Sequence, residues 1–405
     1  MVLSLDVLST ELLLKIFKYL DIPDLYRLKQ TCKRFNEIIE TWGHLLISNV
    51  GLLVTNQVHP VISNRSLRLL SQFERLRISK NWCSGLYDEK RLLYNKDRYF
   101  PCLQLEKDLL WFSRGAHIFA YKRTKAGIDT RNPVYTITSR DNADIFRFVK
   151  RNNLVLSGQT DGSLFLWDLN TQKFVTDLEV SQGADVNSVD LLDDILVSGS
   201  RDNFVRIWRN PFNESIIEQI DLCDRVWSVA LCEEDKSLLA IGTAGVHPTP
   251  PLTIFDLNKH MTVLNFTPEI SGAGVLDIRW ENPSVVWSAG YDSCVRRWDL
   301  RTGNCEQVLE DPYGATVYCF QYDFFNTIVS GTHNHGRAVL WDTRRSNCVQ
   351  MYFMESCRRR GRSSPVYGLS FDADFLFTVT DQHLNVLNFS VNRGKIRDYG
   401  IWFKK

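Results

Sequence analysis

The sequence predicts an all-β ring, a seven-bladed propeller, preceded by a small α-helical domain. Three observations carry that expectation. A hairpin signature recurs through most of the chain, its period is that of a propeller blade, and the first forty or so residues switch to helical periodicity.

The hairpin is clearest from Ile195 to Arg209, ILVSGSRDNFVRIWR. A β-branched run, a Ser-Gly-x-x-Asp turn and a second apolar run ending in Trp read as two antiparallel strands joined by a tight turn. The pattern returns near Trp167, Trp298 and Trp341, with weaker copies through Tyr121, Phe255 and Leu387. From Tyr121 to Leu387 the steps are 46, 41, 47, 43, 43 and 46 residues. Ser157, Ser198, Ser288 and Ser330 stand ten or eleven positions before the four strong Trp. Such a period marks propeller blades, and seven copies close a ring. On these residues the stretch from Arg98 to Lys405 resembles the WD40 family.

Each blade needs a strand next to the ring axis. The candidates are Leu103 to Leu105, Ile145 to Val149, Val186 to Leu191, Val226 to Leu231, Val275 to Trp280, Val317 to Tyr322 and Val366 to Phe371. After Gly242 the run TAGVHPTPP forbids regular ladder bonding and predicts a protruding loop. The turn acids Asp161, Asp202 and Asp292 read as structural, since a short carboxylate there accepts backbone N–H groups. WD40 blades often carry a Gly-His pair ahead of the inner strand, and these are missing here. Ile396 to Phe403 is expected to supply an outer strand.

Composition narrows the function classes. Lys plus Arg number 48 against 47 Asp plus Glu, so no global field draws the chain to nucleic acid or to a membrane surface. Apolar runs of membrane-spanning length and the order of a signal peptide are both missing, which predicts a soluble protein of the cytoplasm, with the nucleus as a second compartment. The ten Cys are scattered without a CxxC and read as reduced thiols. The chain carries no phosphate-binding loop, nucleophile elbow or H-E-x-x-H. Ser271-Gly-Ala-Gly274 reads as a turn, and His333-Asn-His335 lacks the further ligands that zinc needs. No enzyme active site, metal or cofactor is expected.

At the N-terminus Leu12, Leu13, Ile16, Phe17 and Leu20 recur on one helix face, Ser9 or Thr10 can cap its start, and Glu11 suits the first turn. Asp21-Ile22-Pro23-Asp24 interrupts and restarts the chain, and Leu25, Leu28, Cys32, Phe35 and Ile38 continue the stripe. About forty residues bury little of their own surface, so the stripe marks an interaction site or packs on the propeller itself.

The stretch LDVLSTELLLKIFKYLDIPDLYRLKQTCKRFNEIIETW is similar to an F-box. Leu8, Ser9, Glu11, Ile16, Phe17, Leu20, Asp24, Leu25, Cys32, Lys33 and Phe35 fill the family's pattern, with Ser9 standing where Pro is usual. That resemblance implies docking on the adaptor Skp1, and through it on cullin and RING subunits, by Leu8, Glu11, Leu12, Ile16, Phe17, Leu20, Leu25 and Leu28. Asn81-Trp82-x-x-Gly85 resembles the lead into the propeller of F-box/WD-repeat proteins. DRVWSVAL, GAGVLD and SSPVY narrow the likeness to one branch of that family. The expected domains are therefore an F-box over 1–48, a helical linker over 49–97 and the propeller over 98–405.

Recognition is expected on the propeller face where the leads into the inner strands meet the hairpin turns. Phe146, Asn187, Arg225, Trp227, Leu276, Thr316, Tyr318 and Tyr367 flank the first residue of those strands, and Arg201 and Tyr291 precede turn acids. Aromatics and Arg are the residue types that dominate binding hot spots, the competing role being to plug the channel. Arg358, Arg359, Arg360 and Arg362 lie in a loop of the same face, where guanidiniums can fork onto an acidic or phosphorylated peptide or remain solvated. The resemblance thus implies a substrate receptor of a ubiquitin ligase, and the alternative is a WD-repeat scaffold without ligase role.

Overall fold

The computed structural model describes residues 5–20, 22–46, 51–94, 100–179, 184–209, 218–246, 248–266, 271–334, 336–354 and 364–402. Seven antiparallel sheets follow one another around a ring. Six blades are consecutive in sequence, from blade 1, which opens with Leu103–Leu105, to blade 6, which ends with Cys348–Phe353. The third strands align the repeat: Tyr121, Trp167, Trp208, Phe255, Trp298, Trp341 and Leu387 each pair with an apolar residue of the second strand, from Leu110 to Leu376. In blades 5 and 6 the Trp298 and Trp341 indole N–H groups donate to the Ser288 and Ser330 hydroxyls at 2.8 and 2.9 Å, a use of the Ser-to-Trp spacing that Ser198 and Trp208 of blade 3 do not share.

Blade 7 is composite. Its inner three strands are Gly368–Phe371, Phe375–Val379 and Leu384–Asn388, and its outer strand is Asp88–Leu92 from ahead of blade 1. The expected outer strand at Ile396 to Phe403 is therefore corrected. Ile396 makes a single bridge to Leu86, Gly400–Trp402 forms a 3-10 turn, and Phe403 lies outside the described residues. Pairing the first and last segments satisfies the open edge of Leu384–Asn388 without a new strand.

The N-terminal helices α1 (Thr10–Phe17), α2 (Ile22–Lys29) and α3 (Lys33–Leu46) enclose a small core of Leu13, Phe17, Leu25, Phe35, Ile38 and Ile39. Helix α4 (Pro60–Arg65) lies against the ring, and helix α5 (Gln72–Ser84) completes both cores. Phe73 and Leu76 of α5 cover the helical core. Trp82 enters the propeller, stacked 3.7 Å from Phe389, edge-on to Tyr352 and Phe371, its Nε1 donating to the Ala373 carbonyl at 2.8 Å. Asn81 Nδ2 donates to the Phe389 and Val391 carbonyls at 2.7 and 2.9 Å. Gly85 ends the helix at φ 68°, where a Cβ would press into the Arg397 carbonyl. The Asn-Trp-x-x-Gly segment is thus the rivet between helices and ring. Ser71 and Glu74 close a capping box at the other end of α5, and Arg68 bridges Glu74 to Asp374 of blade 7.

Turn chemistry follows the sequence. Asp161, Asp202 and Asp292 accept the backbone N–H groups of Ser163, Phe204 and Cys294 at 3.0 to 3.2 Å. The proline run interrupts blade 4 between Leu238–Thr243 and Leu252–Asp256. The nine described cysteines carry free thiols. No helix among the described residues is long and apolar enough to cross a membrane.

Candidate functional site

Two surfaces stand apart from the cores, and the first is a ridge on α1. Leu12 and Ile16 are 48% and 41% exposed one turn apart, and Tyr19 beyond them is 91% exposed, while Leu13 and Phe17 of the same helix are buried. Leu8, Leu20 and Leu28 lie half-buried at the margin of the helical core, and Glu11 is exposed in the first turn, where backbone N–H bonding holds its carboxyl below the usual range. The geometry therefore divides the expected adaptor contacts. Phe17 and Leu25 face inward, Phe17 edge-on to Phe35 with ring centres 5.4 Å apart, and offer no surface to a partner. Ser9 occupies the N-cap in extended conformation without a side-chain cap bond.

The second surface is the upper rim of the ring. The expected meeting of hairpin turns with the leads into the inner strands appears as a repeated backbone bond: Thr160, Arg201, Ala244, Tyr291 and His333 donate to the carbonyls of Asp144, Asp185, Arg225, Gly274 and Thr316 at 2.9 to 3.0 Å. Just below, the inner strands of blades 2 to 6 each slip register after their first residue, leaving Phe146, Asn187, Trp227, Leu276 and Tyr318 as bulge residues. A bulge turns its side chain out of the sheet's alternation, which carries Phe146, Trp227 and Tyr318 to the rim.

Phe146, Phe100, Tyr367, Tyr318 and His333 form one run of rings with neighbouring centres 5.2 to 5.9 Å apart. Burial, with a smaller effect of the nearby Tyr291, raises the Tyr318 hydroxyl above its ordinary pKa. Trp227 and Tyr291 form an edge-to-face pair at 6.3 Å, and the Arg201 guanidinium lies 5.3 Å over the Trp227 ring. Arg201 also pairs with Asp185 at 2.6 Å, whereas Arg225 is exposed and forms no ion pair among the described residues.

Of the expected rim residues, Asn187 and Leu276 are buried. Asn187 braces blades 3 and 4 by donating to the Val226 carbonyl at 2.7 Å, and Leu276 lines the central channel. Arg358, Arg359, Arg360 and Arg362 lie outside the described residues. Phe100 was missed by sequence reasoning. Its position just ahead of the Leu103–Leu105 strand was the available signal, weakened because that strand is three residues long.

The class of protein is thus a helical module riveted to a seven-bladed ring, with an exposed apolar ridge on the one and an aromatic rim on the other. An F-box-like family model matches residues 10–48, and a WD domain, G-beta repeat model matches residues 172–209. The chain is 32% identical to F-box/WD repeat-containing protein 4 of Mus musculus over 94% of this chain and 92% of that protein. The Homo sapiens protein of the same name gives the same identity and coverage. Protein groucho of Drosophila melanogaster is 24% identical over 48% of this chain and 27% of its own length, within the range of a shared repeat. The chain belongs to the F-box/WD-repeat family.

Proposed function

We propose that this chain is the substrate-recognition subunit of an SCF-type ubiquitin ligase. Its helices dock on Skp1, and through Skp1 on cullin and RING subunits, while the upper rim of the propeller holds a protein target. Catalysis belongs to the other subunits, and proximity is this chain's contribution. The complex works in the cytoplasm and the nucleus.

The observation that carries this reading is the exposed ridge of Leu12 and Ile16 beside a core that is already complete. If the helices served as a cap on their own ring, that ridge would be the buried face. At the rim, rings placed by bulges and a free Arg225 suit a protein segment with aromatic or apolar anchors and an acidic or phosphorylated flank. A nucleic acid ligand would instead show steep salt dependence.

The test is co-purification of the full chain with Skp1 and a cullin, beside a version lacking the residues before Val50 and a Leu12→Asp/Ile16→Asp variant. The full chain is expected to retain both partners and the other two neither, with the propeller still folded. Capture of Skp1 by all three would place the adaptor contact elsewhere, and capture by none would leave a WD-repeat scaffold. Phe17→Asp is no substitute for these variants, because it puts a charge into the helical core.

A further inference from the structure

The central channel carries chemistry that adaptor and target binding leave unused. Its walls come from the inner strands of all seven blades, Val61 and Arg65 of α4 face it from one side, and its volume is about 280 Å³. Two guanidiniums that face this space form no direct ion pair among the described residues, although Asp277 acts on Arg147 and Asp323 and Asp372 act on Arg65 at longer range. Arg65 is 6% exposed, and its Nη1 donates to Gln321 Oε1 at 2.8 Å, while its Nε and Nη2 have no hydrogen-bond partner there. Arg147, after the bulge of blade 2, has its Nη1 3.9 Å from the Cys102 thiol sulfur.

The acids on the same walls are committed elsewhere. Asp190 accepts the Leu191 and Leu231 backbone N–H groups at 2.9 and 2.8 Å, and Asp277 accepts those of Ile278 and Phe320 at 3.1 and 3.0 Å. These acceptors link neighbouring blades, so their lone pairs point into the ring wall. The remaining cations are matched: Arg151 pairs with Glu233 and lies 3.8 Å from Asp190, and Arg279 lies 3.4 Å from Asp277. The lining thus holds four guanidiniums against the three carboxylates Asp190, Glu233 and Asp277, and it is Arg65 and Arg147 that are not in direct ion pairs, with Asp277 acting on Arg147 from a distance. Burial lowers the Arg65 guanidinium to about 10, with Arg279 and Arg123 assisting and the nearby Asp323 and Asp372 opposing that shift.

Water satisfies an N–H group but does not neutralise a buried cation, whereas an oxyanion does both. We propose that the channel binds a small oxyanion of the phosphate class, held by the forked guanidiniums of Arg65 and Arg147. The space admits a tetrahedral oxyanion together with several waters. Arg65 ends α4, on the segment between the helical domain and the ring, so the anion ties that segment to blade 2. This site is independent of the ligase reading, and its failure would leave adaptor capture untouched.

The experiment is a calorimetric and thermal titration of the purified full chain with inorganic phosphate at constant ionic strength, chloride replacing phosphate in the control. The expected result is one-site binding in the wild type and a Tm rise of roughly 2–4 °C near saturation. Both are lost in Arg147→Gln and weakened about tenfold or more in Arg147→Lys, which keeps the charge but not the fork. An equal Tm rise with chloride, or an unchanged phosphate affinity in Arg147→Lys, would overturn the proposal. Lys173→Gln, in the exposed start of the outer strand of blade 2, serves as the control and is expected to bind phosphate as the wild type does.

Discussion

At the residue scale, the sequence announced where aromatic and charged groups would stand better than it announced what they would touch. The Trp of the repeats was legible because one residue type recurs ten or eleven positions after a Ser; the pair is bonded in blades 5 and 6, whereas Ser198 Oγ and Trp208 Nε1 of blade 3 have no partner among the described residues. Trp82 was legible only as part of a family-like segment, since nothing local says that a helical Trp will stack on Phe389, some three hundred residues away. Because Trp82 is fully buried, Trp82→Ala is expected to cost about 3–5 kcal/mol, read as a lower urea midpoint. The pair of Arg337 with Asp311, its Nη2 2.6 Å from both carboxylate oxygens and both side chains buried, gives a second prediction. Arg337→Met alone strands a buried carboxylate and is expected to cost about 3–5 kcal/mol, while Arg337→Met with Asp311→Asn, whose amide oxygen still accepts the Tyr313 and Ala315 N–H groups, recovers part of that loss. Equal denaturation midpoints for the single and double variants would refute this account of the pair.

At the element scale, periodicity found α1 but not the side of the stripe that faces inward. Leu12, Leu13, Ile16 and Phe17 all fit a 3.6-residue pattern, and the inward pair is chosen by α3 and α5, which the local sequence does not contain. The inner strands were legible from their β-branched runs, whereas their bulges were not, because a register slip depends on the partner strand. Helix α4 supplies the prediction at this scale. Its N-cap residue His59 stacks 4.0 Å from Phe324, and burial holds the imidazole below its ordinary pKa of 6.5, with Glu233, Glu234 and Asp323 opposing and Arg65 assisting. The folded chain therefore binds fewer protons at this site than the unfolded chain. Its contribution is present above the unfolded value and is lost as pH falls through about 6.5 toward the lowered folded value. Between pH 7.5 and 5 the wild type is expected to lose more stability than His59→Phe, measured by urea denaturation at each pH. Parallel profiles would show that His59 does not sense pH.

At the scale of the whole molecule, the blade count was legible and the closure was not. A repeat read along the sequence begins with the outer strand of one blade and runs through three strands of the next, as the match over residues 172–209 does with Lys173–Glu179 and the first three strands of blade 3. The last such unit ends on the third strand of blade 7, and Asp88–Leu92, the outer strand that opens the first unit, fills the fourth place. Its sequence, four charged residues and then Leu92, reads as a linker, because an outer strand has one covered edge and little burial. Closure and helical docking are thereby fused: the strand that completes blade 7 follows α5 directly, and α5 completes the core of the F-box. Removing the residues before Val50 is expected to leave a monodisperse ring with a cooperative unfolding transition, weakened by the exposure of Phe73 and Leu76. Removing the residues through Leu93 also takes away Trp82 and the closing strand, which leaves Leu384–Asn388 as a bare edge and vacates the hollow beside Phe389. That shorter version is expected to aggregate on size-exclusion chromatography or to unfold at a urea midpoint far below the first. If instead the two versions unfold alike, the ring does not depend on its N-terminal strand, and the helices and propeller are separable domains rather than one closed unit.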